Sequence, residues 1–305
     1  MFFVGCDTGF QPKGAYEEKV VGYCILSNKW DFTIARVYST YNSTGIDPLE
    51  NTTDVPVLGA SVTVSSGDSV FTFRDTTIVR KDKSRYTTDI EAYVLKPFAV
   101  DVGQTYTMRI ISQRFDVATA GISVPDSGDY IGTVTSNDLI GFVFHVSLQA
   151  KGYRLKFFIE FESAGQTFRK EVPQHITYYV DETTFGGVYP RIERRSNTVF
   201  RPLARVATDT AYFDVFAYST MRANIFSSYS NPSFRQSVLV ITQVEDNLYN
   251  YYNVANAFQD EYVIRLDEPD FTNIPRGHGV FGAFTEQTFN APLPETNDPF
   301  GRSNF

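Results

Sequence analysis

Several residue types that would declare a chemistry are scarce in this chain. It has two cysteines, Cys6 and Cys24, one tryptophan, three histidines and three methionines. Lone disulfides are rare in large domains with adequate cores. Cys24 lies in the apolar run Val20-Val21-Gly22-Tyr23-Cys24-Ile25-Leu26, where a free thiol behaves as a small buried hydrophobe, so no bridge is expected. The histidines stand apart in unlike contexts: His145 in an aromatic strand, His175 after Pro173-Gln174, His278 between glycines. None has the spacing of a metal or catalytic motif, so a zinc site would need ligands gathered from distant segments. No Gly-x-Ser-x-Gly elbow and no phosphate-cradling glycine loop occurs, and no cofactor is implied. No run of 18 apolar residues offers a membrane-spanning helix. Nor is there a surplus of positive charge. The formal net charge is −8, which argues against a nucleic-acid partner, because phosphate binding relies on clustered Lys and Arg. Arg191 to Arg195 and Arg80 to Arg85 come closest to basic patches, but acids interleave both, as on ordinary solvated strands and turns.

Aromatic and β-branched residues are abundant. Phe (27) and Tyr (19) make up most of a 15% aromatic content, a composition that suits sheets. Period-two alternation recurs at Ser61–Ser65, Val70–Arg74 and Gln104–Ile110, separated by turn formers at Ser65–Asp68 and Asp101–Gly103. Such short strands read as a first β-sandwich over 17–118. Pro125 and Gly128 in Ile122–Gly128 interrupt pairing and mark a connection. A second sandwich is predicted over 122–290, with strands at Gly141–Val146, Arg154–Phe161, Gln166–Val172, Ala211–Tyr218 and Ser237–Ile241, and a hairpin loop at Glu162–Gly165. Thr242-Gln243-Val244-Glu245 has the form of a helix capping box. Leu248, Tyr251, Tyr252, Ala255 and Phe258 follow at helical spacing, predicting one amphipathic helix over about 243–258. Residues 291–305, rich in proline, read as a loose tail. The fold class is therefore all-β: two β-sandwich modules with one short helix near the C-terminus.

Candidate functional residues are few. Asp260-Glu261 and Asp267-Glu268-Pro269-Asp270 gather carboxylates. These could serve a glycosidase if held roughly 5–5.5 or 6.5–9.5 Å apart, or calcium, although no calcium-loop pattern is present and acids are common in turns. Tyr and Phe on an outer face would stack on sugars, but a sheet core consumes the same residues. Gly277, Gly279 and Gly282 allow positive φ or close backbone approach. That suits a strand entering a tight sheet position, with a ligand or partner loop at Pro275, Arg276, Gly277, His278 and Gly279 as the sharper alternative. At the other end, Phe3-Val4-Gly5-Cys6 reads like the close of a bacterial lipoprotein signal, in which Cys6 would be acylated. Only Met1 to Gly5 precede it, fewer than the basic stretch and roughly 7–15 apolar residues of a full signal. Either the start is truncated or the match is chance.

Further landmarks resemble a known family. Leu248-Tyr249-Asn250-Tyr251-Tyr252, Asp267-Glu268-Pro269, Asn273-Ile274 and Gly277-His278-Gly279-Val280-Phe281-Gly282-Ala283-Phe284 are similar to the C-terminal signature of an uncharacterised family of Bacteroidota lipoproteins. That family is a domain of unknown function, encoded beside TonB-dependent outer-membrane receptors. Cys6-Asp7, Glu18 to Gly22, Gly59 to Val64, Val102 to Met108 and Ile122 to Pro125 follow the family's order. Ser84-Arg85-Tyr86 departs from its Gly-x-Tyr, and Pro275-Arg276 stands ahead of the closing glycines. The resemblance implies a protein anchored to the outer membrane through lipid on Cys6, with a TonB-dependent receptor as partner and a role in substrate capture or assembly. It implies no enzymatic activity and carries no catalytic residue. The first module would be similar to fibronectin or carboxypeptidase-regulatory sandwiches. The rival reading is a freestanding glycan-binding or adhesin β-sandwich. An enzymatic reading would need Asp267 or Asp270 brought toward His278.

Overall fold

Alternation along Val20–Ser27 (β1) puts Val20, Cys24 and Leu26 inward, and Thr33–Ser39 (β2) adds Ala35 and Val37 from the neighbouring strand. These side chains face Val62 and Val64 of Ser61–Ser66 (β3). Ser69–Thr72 (β4), Arg74–Ile78 (β5) and Ile90–Leu95 (β6) complete the near half of the lobe. Thr105–Ile111 (β7) brings Tyr106, Met108 and Ile110 into the core, and Ala118–Ser123 (β8) brings Ala118, Ala120 and Ile122. One sheet of this lobe runs β1-β2-β6-β5 and the other β4-β3-β7-β8, the two-layer arrangement that lets each sheet bury one face. This is a computed structural model, and it describes residues 16–42, 51–84, 86–136, 138–173, 177–181, 189–193, 201–202, 208–256 and 271–295.

The second lobe starts with Tyr130–Thr135 (β9) and Leu139–His145 (β10), followed by the long hairpin of Gly152–Ser163 (β11) and Gln166–Val172 (β12). Ala164 and Gly165 turn that hairpin with positive φ, at the predicted loop. Thr177–Asp181 (β13) pairs with Tyr189–Glu193 (β14), and Arg201–Pro202 (β15) adds to β11. Thr208–Asp214 (β16) leads into a helix, Val215–Ser228 (α1). Ser233–Val244 (β17) precedes a second helix, Asp246–Asn256 (α2). The core is built on aromatic contacts. Phe157 meets Phe142 at 4.9 Å, Phe213 at 5.4 Å and Tyr218 at 5.6 Å between ring centroids, and all four are fully buried.

The last strand, His278–Ala291 (β18), joins the lobes. Its first half runs parallel to β1, from Val21↔His278 to Ser27↔Phe284, and its second half runs antiparallel to β17, from Val244↔Phe284 to Ser237↔Ala291. The large sheet therefore continues through both lobes in the order β12-β11-β17-β18-β1-β2-β6-β5. Phe281, Ala283 and Ile274 pack in the core of the first lobe, with Ile122 and Val124. The expected division at 118 and 122 cuts across this arrangement, because residues near both ends of 122–290 fill the first core.

The all-β class holds, with three local corrections. The strand predicted over 211–218 ends at Asp214, whose carboxylate caps α1 by accepting from Phe216 N (2.6 Å) and Ala217 N (3.3 Å), so two helices are present among the described residues. The capping box at Thr242 does not form. Thr242 stays in the β17 ladder opposite Glu286, and Glu245 caps α2 instead through Asn247 N and Leu248 N, both at 2.7 Å. The tail is ordered through its start: Ala291 is paired in β18, Ser237 Oγ donates to the Pro292 carbonyl, and Leu293 packs on the second core. Residues 296–305 lie outside the described residues.

Candidate functional site

The predicted loop sits at the entrance to β18. Ile274 is buried in the first core, and the Gly277 amide donates to the Ile274 carbonyl (3.1 Å), closing a turn with Pro275 second and Arg276 third. Arg276 adopts φ +61, a left-handed conformation in which a Cβ is disfavoured. The Asn273 side chain holds the turn to the strand. Its Nδ2 donates to the Phe281 carbonyl (2.6 Å), and its Oδ1 accepts from Phe281 N (2.9 Å).

Two of the loop's glycines serve the sheet. Gly279 has φ +105, and a Cβ there would come within 2.0 Å of the Gly22 carbonyl oxygen; at Gly277 the obstacle is the Val20 carbonyl oxygen at 2.6 Å. Parallel pairing with β1 therefore requires both positions to be bare. His278 is half-buried in the same ladder opposite Val21. Of the five loop residues, Pro275 and Arg276 remain on the surface, both exposed.

Those two residues form one wall of a cleft of about 390 Å³, whose other walls are Glu17 to Val20 and Arg114 to Asp116. The first of these segments is pinned to the end of β2: the Thr40 amide donates to the Lys19 carbonyl, Lys19 N donates to Thr40 Oγ1, and Tyr16 OH donates to the Thr40 carbonyl (2.6 Å). The second is the β7–β8 turn, where Phe115 N donates to Ser112 Oγ (3.1 Å) and the Phe115 ring packs on the first core. Ion pairs tie the walls together. Arg114 contacts Glu18 and Arg276 contacts Asp116 at 3.2 Å across the cleft, while Lys19 and Glu17, 3.6 Å apart, pair within one wall. The Arg114 guanidinium also stands over the Phe115 ring. Three acids and three bases line one opening. The sequence did not mark Glu18, Arg114 or Asp116 as site residues; Glu18 stood only in a strand landmark, and all three meet Arg276 only in the fold.

The other sequence candidates are placed as follows. Cys6, His175 and the acids at 260–270 lie outside the described residues. His145 ends β10 in the three-stranded sheet, while His278 starts β18 in the large one. Cys24 is buried, unpaired with sulfur, and burial pushes its thiol up to about 12, which keeps it protonated and unreactive. Among the described residues no group of three or more His, Cys, Asp or Glu could hold a metal ion. Among the described residues, two exposed aromatics pack edge-on against their neighbours. Trp30 meets Phe284 at 89° and Tyr23 meets Tyr251 at 61°; such edge-on packing covers the outer face of the sheet beside α2.

No family model matches the chain, and no curated protein matches it. Among solved structures, the chain is similar to the FN1-FN3 domains of chicken CNTN1 at 8% sequence identity and a TM-score of 0.16, over 89% of this chain and 64% of that one. The match thus spans less than two thirds of that chain's length.

Proposed function

We propose that this chain is a non-enzymatic, lipid-anchored accessory protein of the outer membrane that assists a TonB-dependent transporter in substrate capture or assembly. The observation that carries a docking role is the edge strand β9. Among the described residues it pairs with β10 alone and ends its three-stranded sheet. Its sequence, Tyr130-Ile131-Gly132-Thr133-Val134-Thr135, has no charge, and Ile131 and Val134 are exposed. Free edges are ordinarily guarded by charge, as β5 is by Arg74 and Asp75 and β12 by Arg169, Lys170 and Glu171; the edges β4 and β8 are uncharged as well, but β9 exposes two large aliphatic side chains where β4 exposes one and β8 none. An unguarded edge suits addition of a strand from a partner. The strand shared by both lobes fixes them in one sheet, which gives a docked partner a firm support.

The test is affinity capture of the membrane-extracted protein from its native host, with mass spectrometry of the co-purifying proteins and of the Cys6 peptide. An acylated Cys6 and a TonB-dependent receptor are expected, with the receptor lost from Ile131→Lys while acylation persists. An unmodified Cys6 would overturn the anchor, and absence of any outer-membrane protein would overturn the accessory role.

A further inference from the structure

The cleft between Glu17–Val20, Arg114–Asp116 and Pro275–Arg276 is built from three segments that are each fixed independently of the others: by the Thr40 bonds, by Ser112 and the core, and by the Asn273 clamp. A cleft of about 390 Å³ falls in the range of small-ligand sites, roughly 300–1,000 Å³. Arg276 is held in a left-handed conformation at its rim, where glycine would sit without strain. Backbone strain retained at one exposed residue is a reason to look for a role of its side chain.

The charges indicate what fits. Each guanidinium already has a carboxylate: Arg114 with Glu18 and Arg276 with Asp116, the latter pair 81% and 77% exposed. Exposed pairs of this kind contribute little to stability, so a ligand can take their place. A simple anion would claim the arginines and leave Glu18 and Asp116 unpaired beside it. A simple cation would do the reverse. A ligand with both an anionic group and an ammonium exchanges each internal pair for an external one and strands no charge.

We infer that this cleft binds a zwitterionic ligand of the phosphate–ammonium type, with Arg114 and Arg276 on the phosphate and Glu18 and Asp116 on the ammonium. That chemistry is shared by a free phosphoethanolamine and by the headgroup of an ethanolamine phospholipid. The inference stands without the anchored reading proposed above; only its lipid-borne form draws on it.

Titrate the full chain carrying Cys6→Ser with phosphoethanolamine, inorganic phosphate and ethanolamine, each followed by NMR and calorimetry. Saturable binding of phosphoethanolamine is expected, with phosphate and ethanolamine each at least tenfold weaker. Arg276→Gly should weaken binding about tenfold, the size expected for losing one charge-assisted contact, while leaving the denaturation midpoint unchanged or raised, since glycine relieves the left-handed strain. Asp116→Asn should erase the preference for phosphoethanolamine over phosphate. Vesicles of phosphatidylethanolamine in phosphatidylcholine, against phosphatidylcholine alone, separate the two sources: retention on the first assigns the lipid-borne form, and binding of the soluble compound without retention assigns the free one. Phosphate binding as tight as phosphoethanolamine, unchanged binding in Arg276→Gly, or no saturable binding at millimolar ligand overturns the inference. The acylation state of Cys6 is read from a separate peptide, so failure of this site and failure of the anchor are distinguishable.

Discussion

At the scale of single residues, Glu245 ties three elements together, β17, α2 and β18. It lies 4% exposed where β17 gives way to α2, and its carboxylate accepts from Asn247 N, Leu248 N and, at 3.3 Å, Ala283 N of β18. Burial raises its pKa from the ordinary value of 4.5, with the three backbone donors opposing the rise. A carboxyl with a higher pKa folded than unfolded makes the native state the stronger proton binder, so stability falls as pH rises from about 4.5 through the folded value and levels off above it. Glu160 works the other way. Its bond from Arg169 (2.7 Å), with help from Gln236, holds its pKa down, so its contribution is present above the unfolded value and is lost as pH falls through the folded one. The two groups separate by pH window. In urea denaturation at a series of pH values, Glu245→Gln is expected to flatten the decline of stability above about pH 4.5 while leaving the acid limb unchanged. An identical slope in the variant and the parent would show that Glu245 is not the group that binds the proton.

Among the elements, those with one repeating signal were legible in the sequence. The hairpin strand over 166–172 matches β12 residue for residue, and the runs at 104–110 and 154–161 fall within about one or two residues of the ends or inside β7 and β11. Helix α1 was not legible. It buries Val215, Tyr218 and Ile225 at helical spacing with Met221 packed on the same core, but Phe216 and Phe226 are exposed on the rest of its surface, so the apolar stripe does not stand out in the sequence. The preceding strand's alternation continues through Phe216 and conceals the boundary. The usable signal was Asp214, an N-cap residue type followed by helix formers such as Met221, Arg222 and Ala223. The candidate site was half legible for a related reason. Glycine spacing pointed to the turn at 275–279, but the partners of that turn lie on distant strands, and ordinary charged residues such as Glu18 and Asp116 announce nothing locally. If Asp214 starts α1 as its bonds to Phe216 N and Ala217 N indicate, Asp214→Ala should cost about 1 kcal/mol. The loss would be read from the denaturant midpoint with far-UV circular dichroism. An unchanged midpoint would mean that packing of Tyr218 and Ile225 alone sets the helix start.

At the scale of the whole molecule, β18 decides whether the two lobes behave as one cooperative unit. Parallel neighbours such as β1 and β18 cannot be joined by a tight turn, and here the chain completes the entire second lobe before returning to close the first. Without β18 the first core lacks Ile274, Phe281 and Ala283, and the β1 edge that β18 covers is open. Disruption of the second core should release the first. The molecule carries its own reporter for this: Trp30, its one tryptophan, lies beside β1 with its ring 5.8 Å from Phe284 at the crossing point of β18. Phe157 lies wholly within the second core and meets Phe142, Phe213 and Tyr218, so Phe157→Ala should cost about 3–5 kcal/mol. If the lobes are coupled through β18, Trp30 fluorescence and far-UV circular dichroism should move to the same lower denaturant midpoint in this variant. A Trp30 transition left at the parent's midpoint, while the circular dichroism splits in two, would show that the first sandwich holds its borrowed strand without the second.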